Sequence, residues 1–405
     1  MRNSTAAVVT LVVVTFATAV SSNLGFAFGV LGPVLRQDLH LSRAVLGLLS
    51  TVFFASTGCA SIAAGRLVGR WGSRASVMTV LLAVCVMCVL AATVGDYDAL
   101  LVAAVVAGAG YALVNVATNR VVRSVSDDAH LGTYMAVKTS GVPIATTTAA
   151  LVGGVTAHWG WRPTILMLAG GAAVAFVLAA ARLPEVSRTE SRHRDHRRLP
   201  KGFMLLPLAG FMFVAGSQPL YTWFVAYLHE SLGVDVGFSA LMGGVSTAVG
   251  IPAMVAIARL ADRFGERNRA RFIAGLCAIT AAALLLVLGG SVLGVAVAVA
   301  GVAIGASANL AVAGLFPALI VECAPTSIER GTGTAMAGYF AGALAAPVGF
   351  GALADATGGY TVPWIAGCVA LVLATVLFVM IGRRFGMAVR LAAATGRVSP
   401  PVTGV

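Results

Sequence analysis

Two ten-residue segments, GRLVGRWGSR at positions 65–74 and ARLADRFGER at positions 258–267, share a pattern of glycine and arginine and lie 193 residues apart. A second pair of segments repeats at nearly the same offset, because GGVTAHWGW at 153–161 matches GALADATGG at 351–359 with a shift of 198 residues. Two landmarks at nearly one offset predict that the chain contains the same structural unit twice.

The composition places this repeated unit in a membrane. Of the 405 residues, 59% are hydrophobic and only 10% are charged, whereas about 25% of the residues of an average soluble chain are charged. The same hydrophobicity excludes a disordered chain. We therefore predict an all-α integral membrane protein.

The apolar runs indicate how many helices cross the membrane. A spanning helix needs about 20 apolar residues, and the chain offers twelve such runs, here numbered spans 1 to 12. They lie near residues 6–31, 45–64, 76–95, 99–119, 133–157, 163–181, 204–228, 238–258, 272–290, 292–321, 332–353 and 362–381. The first run is too long for the apolar region of a signal peptide and is interpreted as a retained span. Together with the repeat, this count predicts two pseudo-symmetric six-helix bundles.

A polar stretch separates the two groups of six spans. Residues 182–202 carry two prolines and no apolar periodicity, which is typical of a linker. The predicted units are an N-terminal bundle at 1–182, a cytoplasmic linker at 183–202, and a C-terminal bundle with a short tail at 203–405.

Basic residues are concentrated in alternate connections. Twenty-three Lys and Arg residues lie on the side of the N-terminus, the even-numbered loops and the C-terminus, and three lie on the other side. Because basic loops stay in the cytoplasm, this bias predicts that both termini are cytoplasmic, in the inner membrane of a bacterium. It also accounts for the net charge of +12 without a nucleic-acid partner.

Twelve spans, a basic central loop and a loop similar to G-x-L-x-D-R-x-G-x-R after spans 2 and 8 resemble the major facilitator superfamily, over about residues 6–384. The resemblance implies a monomeric transporter whose two bundles rock about a central cavity. In this family the acid and the arginine of the loop latch the bundles on the cytoplasmic side.

The two copies of this loop supply the candidate gating residues: Gly65, Arg70, Gly72, Asp262 and Arg263. We expect the glycines to let the short turn close, because glycine adopts such conformations without a steric cost. The first copy has Gly69 where the family has an acid, so the latch is expected to depend on the second copy. The alternative is that this loop is only a structural turn and has no role in gating.

Polar side chains inside spans are costly and usually face a cavity. The candidate substrate contacts are Asn23, Tyr111, Asn115, Asn119, Lys138, Gln218, Tyr221 and Asn309. Tyr111, Asn115 and Asn119 recur every four residues and therefore share one helical face. Asn115 and Asn309 lie 194 residues apart, at equivalent places in the two halves. Hydrogen bonding between packed helices is the alternative role.

Lys138 is the strongest of these candidates, because it is a charge one to two turns inside span 5. It could contact an anion, compensate charge or change protonation during transport. Alternatively, its long side chain could reach the lipid headgroups. Glu322, near the end of span 10, is interpreted as a helix-end residue paired with Arg330.

These features favour transport over other functions. The sequence has no nucleotide-binding loop, no paired metal ligands and no Ser/His/Asp set, so we predict no cofactor, no metal and no enzymatic activity; a transporter-like sensor is a minor alternative. We predict a secondary active or facilitative transporter of a small polar or anionic solute, surrounded by lipid, with a coupling ion such as a proton left open. The alternative is an exporter of an amphiphilic or toxic compound, although Ala104 stands where proton-coupled drug exporters of the family carry an arginine.

Overall fold

The computed structural model describes residues 4–126, 131–186, 199–264, 268–324 and 327–394. These residues form helices joined by short turns, and none of them lies in a strand. This result confirms the predicted all-α class. Ten of the helices are long and apolar enough to span a membrane.

The ten uninterrupted helices are spans 1–4, 6 and 8–12. Their bounds are Ser4–Val30, Arg43–Trp71, Ser73–Val94, Tyr97–Val125, Trp161–Arg182, Val236–Phe264, Arg269–Leu293, Val295–Cys323, Ile328–Thr357 and Thr361–Ala394. A short helix, Gly32–Asp38, follows span 1, and a single turn, Ala157–Trp159, precedes span 6.

Spans 5 and 7 are interrupted helices, which reconciles ten long helices with the predicted twelve spans. Span 5 consists of Leu131–Thr139 and Gly141–Thr156, and span 7 consists of Leu205–Ser217, Pro219–Thr222 and Phe224–Leu232. Pro143 and Pro219 lie at the interruptions, and proline removes one backbone hydrogen bond from a helix. Proline alone is not sufficient, because spans 8, 10 and 11 each contain a proline and remain continuous.

The helices extend beyond the predicted apolar runs, because hydropathy detects only the part in lipid whereas backbone hydrogen bonding continues past it. Span 2 continues to Trp71, and only Gly72, with a φ of +86°, forms the turn to span 3. The prediction that Gly65 helps to close this turn is therefore wrong, because Gly65 lies inside the helix.

The packing of the spans follows the predicted repeat. In the N-terminal half, span 2 packs on span 4, span 3 on span 6, and span 1 on span 5. The equivalent pairs of the C-terminal half, 8 with 10, 9 with 12, and 7 with 11, also pack together. Between the halves, span 2 packs on span 11 and span 5 on span 8. The repeat maps span 2 onto span 8 and span 5 onto span 11, so it turns each of these two contacts into the other. The bundles are therefore related by a pseudo-twofold axis.

The two bundles touch at one face and separate toward the other. We call the face with residues 72, 126, 183–186, 199–204 and 324 the linker face, and the face with residues 39–42, 95–96, 233–235 and 358–360 the turn face. Near the turn face, Gly47 of span 2 lies against the Pro347 carbonyl oxygen of span 11 with no room for a Cβ. Further along, a Cβ on Gly58 would be 4.0 Å from Phe340, and a Cβ on Gly65 would have no neighbour within 4 Å.

Spans 5 and 8 are also in contact near the turn face. A Cβ on Gly154 would lie only 2.8 Å from Leu241, and a Cβ on Gly244 would lie 2.8 Å from Ala150. The contact between spans 2 and 11 is thus close near the turn face and lost toward the linker face. The space between the bundles therefore opens at the linker face.

We expect Gly47→Ala to weaken closure of the turn face, because the new methyl group must displace the backbone of span 11. Such overpacking costs about 1–3 kcal/mol. Gly58→Ala is the matched control on the same helix, and it should be neutral or stabilising because alanine favours helices by about 1 kcal/mol over glycine. The melting temperatures of both variants in detergent test this contrast. Equal effects of the two substitutions would show that the contact at Gly47 does not hold the bundles together.

Candidate functional site

Lys138 is buried between spans 4 and 5. It lies two residues before the interruption of span 5, its exposed fraction is 2%, and its Nζ donates a hydrogen bond to Asn115 Oδ1. The side chain therefore points inward rather than toward the headgroups. Among the described residues, no carboxylate forms an ion pair with it. An ammonium group has three hydrogens to donate, and one neutral amide leaves most of its charge uncompensated.

The C-terminal bundle contributes a different polar pair. Tyr221 Oη donates to Asn309 Oδ1 at 3.1 Å. Span 4 at Tyr97–Val125 and span 10 at Val295–Cys323 have the same length, so Asn309 is equivalent to Tyr111. Asn309 therefore lies one turn from the position equivalent to Asn115, which corrects the expected equivalence of the two amides. Gln218 precedes Tyr221 by one turn, and its buried Nε2 has no hydrogen-bond partner in the described part of the chain.

Asn23 and Asn119 lie apart from these pairs. Asn23 contacts Thr148 Oγ1 at 3.4 Å, across the packed interface of spans 1 and 5. This geometry fits the alternative role, a hydrogen bond between helices. Asn119 is exposed, one turn closer to the linker face than Asn115, and therefore faces the open end of the space between the bundles.

Aromatic rings from both bundles surround the same level. Phe53 packs edge-on against Phe54 at 5.3 Å between ring centroids and stacks on Tyr111 at 6.1 Å. Phe26 bridges the bundles, at 6.3 Å from Phe54 and 6.4 Å from Tyr221.

The set of rings that these contacts join is called the aromatic belt: Phe26, Phe53, Phe54, Tyr111 and Tyr221. Three of these rings, the phenylalanines, were not predicted from the sequence. A ring inside an apolar run carries no signal that separates a cavity from a core or a lipid contact.

The turn face is held by charged groups from both bundles, which the sequence also did not reveal. Glu230 at the end of span 7 forms ion pairs with Arg36 and, at 2.8 Å, with Arg43. Asp355 of span 11 lies 3.7 Å from the Arg43 guanidinium. Its Oδ2 also accepts a hydrogen bond from the Ala44 backbone N–H at 2.8 Å, at the start of span 2.

Tyr360 joins this group through a hydrogen bond from Arg43 Nε at 3.2 Å. Burial, and then the nearby Glu230 carboxylate, raises the pKa of the Tyr360 phenol, which stays protonated at neutral pH. We call Arg36, Arg43, Glu230, Asp355 and Tyr360 the turn-face cluster. Its arginines come from one bundle and its carboxylates from the other, so it closes only when the bundles meet.

The predicted gating residues lie at the linker face. Gly72 forms the turn between spans 2 and 3, and Arg70 is exposed beside it. Gly65 instead accepts a hydrogen bond from Arg120 through its carbonyl oxygen, at 3.3 Å. The side chains of Asp262 and Arg263 lie outside the described residues, so their part in a latch stays a prediction.

Glu322 is paired at the same face, but not with the predicted partner. It forms an ion pair with Arg269 at the start of span 9. The expected pairing with Arg330 is wrong, because spans 9 and 10 pack side by side and bring Arg269 to the end of span 10.

Two six-helix bundles that separate at one face and hold polar groups between them are typical of secondary transporters. The model of the Major Facilitator Superfamily matches residues 11–328. The chain therefore belongs to this superfamily.

Curated relatives match part of the chain. It is 26% identical over 280 residues to a gentisate transporter of Corynebacterium glutamicum, covering 64% of this chain and 62% of the relative. It is 23% identical over 269 residues to a chloramphenicol efflux pump of Mycobacterium tuberculosis, covering 62% of each. The chain thus spans less than two thirds of the length of these relatives.

Solved structures match almost the whole chain. A bacterial homologue of the human lysosomal transporter Spinster, in an inward-facing conformation, superposes with a TM-score of 0.69 at 17% identity, covering 96% of this chain and 98% of that one. The nucleoside transporter NupG superposes with a TM-score of 0.74 at 13% identity, covering 92% and 99%. At these identities the likeness shows the fold.

We expect Glu230→Gln to open the turn face, because it leaves two arginines facing each other without their shared carboxylate. Removing one partner of a buried polar pair costs about 1–3 kcal/mol, and partial exposure of these arginines places the cost at the low end. Hydrogen–deuterium exchange in peptides covering residues 39–47 and 353–361 should become faster.

Asp98→Asn is the matched control, because Asp98 lies at the same face and forms no ion pair among the described residues. Unchanged exchange in the Glu230→Gln protein would mean that apolar packing alone closes this face.

Proposed function

We propose that this protein moves a small organic anion across the membrane by alternating access. The observation that supports the proposal is the burial of Lys138 beside a neutral amide, with no carboxylate paired to it among the described residues. A buried charge is costly unless a charge of opposite sign compensates it. A substrate anion would supply that charge each time the site is occupied.

The position of Lys138 supports the same role. It lies next to an interruption of span 5, and interrupted helices commonly build the substrate sites of transporters. Lys138 and Asn115 belong to one bundle, whereas Tyr221, Gln218 and Asn309 belong to the other. A substrate that contacts both sets would couple its own binding to the approach of the bundles. The relative named as a gentisate transporter acts on a carboxylate, which agrees with an anionic substrate.

The described conformation fits one of the two end states of alternating access. The turn-face cluster closes one end while the linker face is open. We place the linker face in the cytoplasm because 23 of the 27 basic residues lie on that side, so the described state would be open inward, in a bacterial inner membrane. The functional units would be residues 1–182 and 203–405, joined by 183–202, working as a monomer. Arg70, Gly72, Asp262 and Arg263 would form the gate at the linker face, and a proton is a candidate coupling ion.

Export of an amphiphilic compound is a second candidate function. The aromatic belt offers the kind of apolar surface that such compounds bind, and the similarity to a chloramphenicol efflux pump agrees with it. Lys138 argues against an amphiphilic cation, because a buried positive charge repels it.

Lys138→Met tests the anion site. Methionine keeps the volume of the side chain and removes its charge, and a buried charge replaced by an apolar group is often neutral for stability. We expect thermal stabilisation of the purified protein by benzoate or succinate to disappear, with at least a tenfold weaker apparent Kd. Lys201→Met is the matched control, because Lys201 is the other of the two lysines and is exposed at the linker face.

Both variants should be screened against glucose and tetraphenylphosphonium as well. Binding of either carboxylate to Lys138→Met as tightly as to the wild type would contradict the anion site. Stabilisation by tetraphenylphosphonium alone, insensitive to Lys138, would support the exporter.

The orientation of the protein in the membrane can be tested separately. We expect a green fluorescent protein fused after residue 405 of the full chain to be fluorescent, because that protein folds in the cytoplasm, whereas alkaline phosphatase fused at the same place should be inactive. The reverse pattern would place the linker face outside the cell and make the described state open outward.

A further inference from the structure

Tyr111 of the aromatic belt and Lys138 lie at adjoining levels of the N-terminal bundle. Tyr111 and Asn115 are four residues apart on one face of span 4, which separates their Cα atoms by about 6 Å along the helix. Asn115 holds the Lys138 ammonium group. A flat aromatic surface therefore lies beside a positive charge, at a separation close to the length of a benzene ring carrying one carboxyl group.

The aromatic belt has a buried side and an accessible side. Phe26, Phe53 and Phe54 are buried, at 7%, 0% and 8% exposure. Tyr111 and Tyr221 are partly exposed. Phe53 thus backs Tyr111 and Phe26 backs Tyr221, and the tyrosine rings form the more accessible side of the belt. Such a surface favours a planar ring, because aromatic pairs gain stabilisation beyond their buried area.

Polar groups on the opposite wall fit substituents of such a ring. Gln218 Nε2 is a buried donor without a partner in the described part of the chain, and Tyr221 and Asn309 form a hydrogen-bonded pair one turn away. A ring hydroxyl or carbonyl would satisfy Gln218. A buried donor left without an acceptor is unfavourable, so the site favours ligands that supply one.

From these three features we infer that the substrate is an aromatic carboxylate, with its carboxylate on Lys138, its ring against Tyr111, and a polar ring substituent near Gln218. The inference rests on the proposed anion transport and names the class of anion. An aliphatic carboxylate would leave the belt unused, and a neutral aromatic compound would leave the Lys138 charge uncompensated.

Three probes of similar size separate these contributions. Benzoate has the ring and the charge, cyclohexanecarboxylate has the charge without the aromatic ring, and benzamide has the ring without the charge. We expect detergent-purified wild-type protein to bind benzoate roughly tenfold more tightly than either of the others, measured by thermal shift and by isothermal titration. Salicylate and 3-hydroxybenzoate, which add a hydroxyl group at different ring positions, should differ in affinity, and Gln218→Leu should reduce that difference.

Tyr111→Leu tests the belt, and Tyr111→Phe is its matched control because it keeps the ring. We expect Tyr111→Leu to lower benzoate affinity to the level of cyclohexanecarboxylate, while cyclohexanecarboxylate itself binds as before. Retained cyclohexanecarboxylate binding would also show that the variant is folded. Tyr111→Phe should keep the preference for benzoate.

The outcomes separate the two proposals. If wild type binds cyclohexanecarboxylate and benzoate equally, and Lys138→Met loses both, the aromatic class is overturned while anion transport stands. A preference for benzoate that survives Tyr111→Leu also overturns the assigned ring position. If no carboxylate binds, or if benzamide binds as well as benzoate to both wild type and Lys138→Met, the proposed anion transport itself fails.

Discussion

Every feature of this protein depends on one constraint, the absence of water for backbone groups in the lipid interior. Each N–H and C=O there needs a partner within the protein, which enforces continuous helices. The interruption of span 7 is buried at Pro219 and Trp223. At the interruption of span 5 the Ser140 side chain bonds the Val137 carbonyl oxygen, and the next residue, Gly141, packs against the backbone of span 1. Both interruptions lie beside candidate residues, Lys138 in span 5 and Gln218 in span 7.

The two bundles have the same arrangement of helices, but their side chains differ in charge. Asn115 and Asn309 lie one turn from equivalence in spans 4 and 10, and their partners differ, because Asn115 binds Lys138 and Asn309 binds Tyr221. The same backbone arrangement on both sides of the axis allows the bundles to move against each other as similar bodies. The single ammonium group gives the cavity one positive wall. A solute with a negative end would thus meet an oriented site between two symmetric bundles.

The sequence identified the polar candidates correctly as residues inside spans, because a polar side chain in an apolar run is visible without any structure. It could not identify Phe26, Phe53 or Phe54, since the sequence does not distinguish an aromatic residue in a core from one in a cavity or in contact with lipid. The turn-face cluster was missed for another reason. Glu230 meets Arg43 and Arg36 across 187 and 194 residues of chain, and each charge alone resembles an ordinary loop residue. Gly65 was misplaced because hydropathy does not show where a helix ends outside the lipid.

The sequence by itself determined the class, the twelve spans and the duplication, because hydropathy, charge bias and repeat spacing are local properties that add along the chain. Only the tertiary structure decided which face of the molecule is closed, that Lys138 turns inward to Asn115, and that rings from both bundles form one belt. These features depend on contacts between residues distant in the chain, and their energies arise only when the two bundles are brought together.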